Sequence, residues 1–265
     1  MKIVVIGGSG RIGKKLVEKL RQAGCEVIAA SPTHGVDAVT GVGLTSALIG
    51  ADIVIDVSNA PSIEGAAALR FFETAGRNLV AAGRSAGVRH HIVLSIVGVE
   101  RLLASQSSDY FRAKTVQEDL VRGSGLPFTI VRSTQFFEFI SGVVQEGSAG
   151  EIAISPALVQ PIAGDDVAAM LADTGRSEAL GDVIEIAGPE QFRLDEVATE
   201  IATAYEDGRH IVADPHARYF GVELEEDSLL PGPKARIASL RFDDWLRDWL
   251  RIISSRSTAG RPVSL

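Results

Sequence analysis

Tyr110 and Lys114 stand four residues apart in Tyr110-Phe111-Arg112-Ala113-Lys114, so a helix there puts both on one face. A phenol is a poor acid near neutrality, with an ordinary pKa of about 10. A nearby ammonium favours the phenolate, lowers that value and makes the phenol a usable proton donor. The same Lys114 can hold a hydroxyl of a cofactor ribose. Ser95, in the apolar run 91–97 (HIVLSIV), is placed to polarise a substrate carbonyl and orient the phenol. Ser95, Tyr110 and Lys114 are thus a candidate catalytic set for carbonyl chemistry. Tyrosine and lysine at this spacing also arise by chance on an ordinary helix, and both readings stay open.

Such a set needs a hydride source, and the N-terminus offers a loop for one. Residues 2–13 read KIVVIGGSGRIG, an apolar β-branched run followed by closely spaced glycines. Ile12, Leu16, Leu20 and Ala23 then repeat at helical spacing, and Gly24 closes the helix. Strand, glycine turn and helix make a dinucleotide-binding fingerprint over Gly7, Gly8, Ser9, Gly10, Arg11, Ile12 and Gly13. The glycines permit a tight turn and close approach of a pyrophosphate, and the helix N-terminus offers free N–H groups to it.

The rest of the chain alternates. Short strands are expected at 25–30, 52–57, 91–97 and 127–132, with a further short strand at 36–39. Helices are expected at 44–50, 63–87 and 109–122, with Asp109 as N-cap of the last and a polar loop over 104–109 before it. On the long helix Ala67, Phe71, Thr74, Ala75, Leu79 and Ala82 share one face. This pattern predicts an α/β fold with a doubly wound parallel sheet, residues 1–150 being the nucleotide-binding core. Residues 151–265 read as a smaller C-terminal substrate lobe, one or two of whose strands join the core sheet. In it, 219–233 looks irregular, 242–253 carries Trp245 and Trp249 on one helix face, and 254–265 reads as a loose tail.

The chain has 265 residues, 46% of them hydrophobic, and a formal charge of −8. The acidity argues against nucleic acid and anionic membranes as partners. No apolar run reaches the roughly 18 residues that cross a bilayer. The single cysteine, Cys25, excludes an internal disulfide framework and fits a reducing cytoplasm. His90 and His91 lack a further ligand at metal spacing, so no metal is expected. Helices flanking such a sheet often pair, which leaves a homo-oligomer open.

An acid holding an NAD ribose is expected at the end of the second strand. This chain has Ser31-Pro32-Thr33-His34 there, so an adenosine 2′-phosphate meets no repelling carboxylate. Arg11 could reach that phosphate, helped by the hydroxyls of Ser31 and Thr33, which favours NADP (NADPH) over NAD. Asp37 is a reserve candidate for an NAD ribose if the loop folds back.

In Gly7-Gly8-Ser9-Gly10-Arg11-Ile12-Gly13, residues 52–59, Ser95-Ile96-Val97-Gly98, Tyr110–Lys114 and Val131-Arg132-Ser133-Thr134-Gln135-Phe136-Phe137, the chain resembles the short-chain dehydrogenase/reductase superfamily. Within it the chain is similar to the atypical, NmrA-like NAD(P)-binding branch, as it is over 161–167 and 185–190. The resemblance implies a Rossmann fold, with Ser58, Asn59 and Ala60 beside the cofactor and Ser95, Tyr110 and Lys114 as the catalytic set. It also puts Thr134, Gln135, Phe136 and Phe137 near the nicotinamide and a small-molecule substrate. In sugar-modifying relatives the catalytic hydroxyl sits further along, where this chain has Val97. The leading expectation is an NADP-dependent oxidoreductase moving hydride to a small carbonyl, enone or quinone. The alternatives are a non-catalytic NAD(P)-sensing regulator and an NAD-dependent epimerase or isomerase.

Overall fold

The apolar runs of the sequence become strands buried on both faces. Ile3, Val4 and Val5 of β1 (Lys2–Ile6) are fully buried, as are Ile92 and Val93 of a later strand. The computed structural model describes residues 1–62, 66–105, 108–147, 150–206 and 208–258. After β1 come α1 (Arg11–Gln22), β2 (Glu26–Ala30), α2 (Leu44–Leu48), β3 (Ile53–Asp56), α3 (Ala66–Ala86), β4 (His90–Ile96) and α4 (Val99–Ser105). Then follow α5 (Asp109–Arg122), β5 (Phe128–Ser133), α6 (Phe137–Glu146), β6 (Glu151–Ile154), β7 (Leu158–Val159) and α7 (Gly164–Gly175). The chain continues through β8 (Asp182–Ala187), β9 (Phe192–Arg193), α8 (Leu194–Tyr205) and β10 (His210–Ala213). It ends with β11 (Arg218–Tyr219), β12 (Val222–Glu223), β13 (Arg236–Ile237) and α9 (Phe242–Thr258).

A seven-stranded sheet runs β13-β8-β5-β4-β3-β1-β2, every pair parallel. β2 lies on one side of β1 and β3 on the other, so the strand order reverses at β1. The crevice outside such a switch point is where doubly wound sheets take ligands. α1 and α7 cover one face through Leu16, Leu20, Val167 and Leu171. α3 and α5 cover the other, through Leu79 and Val121 among others. β8 and β13 bring the second half of the chain into the sheet.

Several local expectations change. Residues 36–39 form no strand: Asp37 Oδ1 accepts from Val39 N at 2.8 Å and Thr40 N at 3.3 Å, closing a turn. The sheet therefore ends at β2. The buried stripe of α3 is Ala68, Phe72, Ala75, Gly76, Leu79 and Gly83, about one residue round from the expected face, and Thr74 is exposed. Gly76 lies on that stripe because a Cβ there would come within 2.8 Å of Leu120 Cδ1. Its bareness lets α5 approach closely. α4 occupies part of the expected loop, and Asp109 is the first residue of α5 rather than its cap, the N-cap being Ser108. Of the expected segments, residues 63–65, 106–107 and 259–265 lie outside the described residues.

α5 is fixed end to end on the sheet. Arg132 of β5 donates from Nε to Glu118 Oε1 at 2.9 Å and from Nη2 to Glu118 Oε2 at 2.6 Å. It also reaches Glu100 Oε1 at 2.7 Å, while Arg122 Nη2 adds a second cation to Glu118 at 2.8 Å. Glu118 is fully buried, so this bidentate pairing is what makes its charge tolerable inside the fold.

Candidate active site and cofactor loop

The glycine turn is built so that side chains cannot enter it. Gly7 has φ +80°, and a Cβ on it would lie 2.9 Å from Ser58 Cα; a Cβ on Gly13 would lie 2.1 Å from Gly7 O. Gly7 N and Gly8 N donate to Ala30 O, and Gly10 N to Gly7 O at 2.9 Å. Gly10 is the N-cap of α1 and gives it no side-chain cap, so the first N–H groups face the crevice bare. A backbone cradle of this kind, with a helix N-terminus behind it, fits the pyrophosphate of a dinucleotide. Ile12 is buried beneath it, against α7.

At the end of β2, Ser31 Oγ shares hydrogen bonds with Thr33 Oγ1 at 2.9 Å and His34 Nδ1 at 2.8 Å. Arg11 does not join them. Its Nη1 donates to Glu138 O at 3.4 Å, which draws the guanidinium across to α6. Lys14 lies beside this cluster instead, lining a groove of about 390 Å³ with Gly8, Ser9, Glu18 and His34. Asp37, the reserve ribose acid, is held in its own turn.

Above the ends of β3 and β4 the catalytic candidates are brought together in an unexpected arrangement. Tyr110 is buried, and its hydroxyl donates to Asn59 Oδ1 at 3.3 Å. Burial pushes its pKa up to about 12, with Asn59 pulling slightly the other way. The expected lowering by Lys114 is thus reversed, because that ammonium is turned elsewhere. Lys114 Nζ donates to Leu94 O at 2.8 Å and to Gln117 Oε1, and sits 4.6 Å from the centroid of the Phe72 ring. Burial lowers its pKa to about 8, against the attraction of Asp56 and Glu118. Gln117 Nε2 in turn donates to Asp56 Oδ2 at 2.8 Å, and Asp56 Oδ1 accepts from Ser58 N at 2.9 Å and Ser58 Oγ at 2.6 Å. Asp56 therefore ties the loop of Ser58, Asn59 and Ala60 to α5.

Ser95 lies inside β4, buried, with its Oγ lacking a hydrogen-bond partner among the described residues; it bonds neither Tyr110 nor Lys114. Val97, the other register, is fully buried and bound through its N–H to Ser133 O at 2.9 Å. At the end of β5, Thr134 Oγ1 is buried and likewise unpartnered, and the buried Gln135 carboxamide meets the Tyr219 hydroxyl alone among the described residues. Phe137 belongs to the core, stacked on Trp245 at 5.0 Å with no exposed face for a substrate, and Phe136 packs half-buried below the sheet. Burial takes the pKa of His90 down to about 4; among the described residues no group of three His, Cys, Asp or Glu could hold a metal. No helix among them is long and apolar enough to cross a membrane.

A family model described as NAD(P)H-binding matches residues 7–176, which span the glycine loop, the Asp56 loop and α5. The chain belongs to this NAD(P)H-binding family. It is 29% identical over 224 residues, covering 76% of this chain and 72% of the relative, to the (4-alkanoyl-5-oxo-2,5-dihydrofuran-3-yl)methyl phosphate reductase of Streptomyces griseus subsp. griseus. It is 27% identical over 222 residues to the chloroplastic divinyl chlorophyllide a 8-vinyl-reductase of Cucumis sativus, covering 71% of this chain and 52% of that protein. Its fold is similar to that of a short-chain dehydrogenase/reductase superfamily protein from Agrobacterium tumefaciens with bound NAD, at TM-score 0.71 and 17% identity, covering 98% and 99% of the two chains. The fold is the doubly wound Rossmann type, shared with that structure, and the family match makes the protein one that binds NAD(P)H.

In this NAD(P)H-binding protein the sequence reading passed over Asp56 and Gln117, which lie 61 residues apart and meet only through the fold. The one signal was Asp56 closing the buried run 53–56, a carboxylate where a strand facing helices on both sides wants apolar groups. It also passed over Phe220, whose ring stacks on Tyr110 at 4.6 Å and 15°.

Proposed function

We propose that this oxidoreductase uses NADPH to reduce a small carbonyl, enone or quinone, with Tyr110 giving the proton. The observation that carries the reading is the bond from Tyr110 to Asn59, which ties the phenol to the loop lying on Gly7. NADPH held by the glycine turn supplies the hydride. Burial keeps Tyr110 protonated but makes it a weaker acid. Its proton passes to the substrate oxygen only as hydride addition turns that oxygen into an alkoxide, a stronger base than phenolate, and water then reprotonates the phenolate. Asn59, rather than Lys114, orients that hydroxyl; Lys114 keeps α5 in register with β4. Ser95 and Thr134 offer buried hydroxyls without a partner among the described residues, and Gln135 a carboxamide met among them by Tyr219 alone, which supports a ligand there. NADPH is preferred over NADH because no carboxylate stands at residues 31–34, while Lys14 and His34 lie in the groove beside the loop, with Ser31 and Thr33 bonded to His34.

A second reading has its own observation. The stacking of Phe220 over Tyr110 suits a cofactor sensor that binds NADPH without turnover. The deciding experiment follows NADPH and NADH oxidation with a panel of aldehydes, enones and quinones, and repeats it with Tyr110→Phe. The expected result is NADPH-dependent turnover that falls by about 10²–10⁴-fold in the variant. Unchanged rates remove Tyr110 from the chemistry; a flat panel with tight NADPH binding replaces the reductase with the sensor.

A further inference from the structure

β11 and β12 form a small antiparallel hairpin, Arg218 facing Glu223 and Tyr219 facing Val222. Its two turn residues are Phe220 at φ +48° and Gly221 at φ +86°. A two-residue turn with both φ values positive asks for Asn or Gly at its first place, where a bulky aromatic is disfavoured. A strained residue is kept only where its surroundings hold it, and here they are specific. Ser108 Oγ, the N-cap hydroxyl that leaves α5 uncapped, donates to Phe220 O at 2.8 Å. The Phe220 ring lies nearly parallel to Tyr110 at 4.6 Å and to Phe139 at 5.5 Å and 14°. Tyr219 crosses it edge-on at 4.7 Å.

Phe220 is only half-buried, so it stands at the mouth of the site with the polar atoms behind it. Those are the Tyr110 hydroxyl and the Gln135 carboxamide, with the Tyr219 hydroxyl close to both. Gln135 is 5% exposed, and among the described residues its buried carboxamide meets the Tyr219 hydroxyl alone, which leaves most of its hydrogen-bonding capacity unused at a cost. The Phe220 ring thus lies in a flat aromatic stack with unused hydrogen-bonding capacity at its end.

We propose that Phe220 occupies the place of the substrate's ring, and that the protein takes a flat, conjugated, single-ring carbonyl compound that displaces Phe220 and lies between Tyr110 and Phe139. This rests on the reductase reading for its chemistry, but the slot is tested by binding alone. The hairpin opens by swinging about Gly221, which has no neighbour within 4 Å of where a Cβ would stand. The carbonyl oxygen of the incoming ring then meets Tyr110 and the Gln135 amide.

The test uses protein saturated with NADP⁺, in which no hydride can move. Acetophenone, flat and conjugated, is compared with cyclohexyl methyl ketone, of equal size and saturated, by calorimetric titration of wild type, Phe220→Asn and Phe220→Ala. Asn suits the positive φ and keeps the turn folded, which thermal melting checks. Both variants are expected to bind acetophenone on the order of ten-fold more tightly than wild type, since the ring no longer has to be expelled, with a much smaller gain for the saturated ketone. Phenolate absorbance at 295 nm is expected to begin at lower pH in both, as Tyr110 gains water. Equal gains for both ketones, or no gain in either variant, overturn the proposal. Acetophenone binding as expected with no turnover of any carbonyl by wild type would instead overturn the reductase reading and leave the slot standing.

Discussion

The glycine loop and the substrate slot sit at neighbouring strand ends, yet they treat their polar groups in opposite ways. Around the loop the backbone answers itself: Gly7, Gly8 and Gly10 donate to Ala30 O or Gly7 O, and the first N–H groups of α1 are left without a side-chain cap. Around the slot, Ser95 Oγ and Thr134 Oγ1 are buried without partners among the described residues, Gln135 meets Tyr219 alone among them, and an aromatic ring lies over the phenol. The loop is a finished receptor whose ligand adds to it. The slot is strained and underbonded, and its ligand must take something away. A site of the first kind binds tightly with little rearrangement, whereas one of the second kind trades affinity for exclusion of water and of wrong shapes.

The largest expected effect falls on the strut beneath the slot. Arg132→Ala leaves Glu118 buried without its bidentate partner, and unfolding free energy in urea should drop by about 3–5 kcal/mol. Arg132→Met paired with Glu118→Leu should recover most of that, because the uncompensated charge is gone. A single-variant loss under about 1 kcal/mol would mean that Arg122 or water compensates Glu118, and the slot would not depend on Arg132 for its rigidity. On the other side, Gly13→Ala puts a carbon 2.1 Å from Gly7 O, which the turn can relieve only by opening. NADPH affinity read by fluorescence titration should fall on the order of a hundred-fold, about 3 kcal/mol. Because the clash is confined to the turn, binding is expected to suffer more than melting temperature; the reverse order would make Gly13 a core-packing glycine.

This contrast also explains what could be read without coordinates. The glycine loop is local: spacing within seven residues forces a backbone shape, so strand, turn and helix were legible together, and the alternation after it gave the sheet. The long helix was read one residue off because Gly76, which faces Leu120 of α5, and Gly83, which faces Leu126 beyond that helix, count as nothing on a hydrophobic scale. Arg11 sits in the right motif, but its side chain is drawn away by Glu138, a partner 127 residues distant. Tyr110 and Lys114 share α5, as spacing required, yet spacing cannot say that one turns to Asn59 and the other to Leu94. The slot was the least legible part, since Phe220 comes from a hairpin of two-residue strands whose turn lacks the usual Asn-Gly signal.

The two regions are joined by one side chain, and that junction gives the smallest and most informative expected effect. Gln117 bridges Lys114, on the slot's helix, to Asp56, which in turn holds Ser58 against Gly7. Gln117→Met keeps the volume and removes both hydrogen bonds, leaving a buried ammonium and a buried carboxylate each one partner short. Stability should fall by about 1–3 kcal/mol. If the loop and the slot are mechanically one unit, freeing Asp56 also lets the Ser58–Asn59 backbone shift, and NADPH binding weakens along with the hold of Asn59 on Tyr110. If they are independent, stability falls and NADPH affinity stays at the wild-type value. The first outcome is expected, because Asp56 Oδ1 is already committed to two bonds from Ser58 and its other oxygen has Gln117 to steady it. A carboxylate fixed on one side only can rotate, and Ser58 rotates with it.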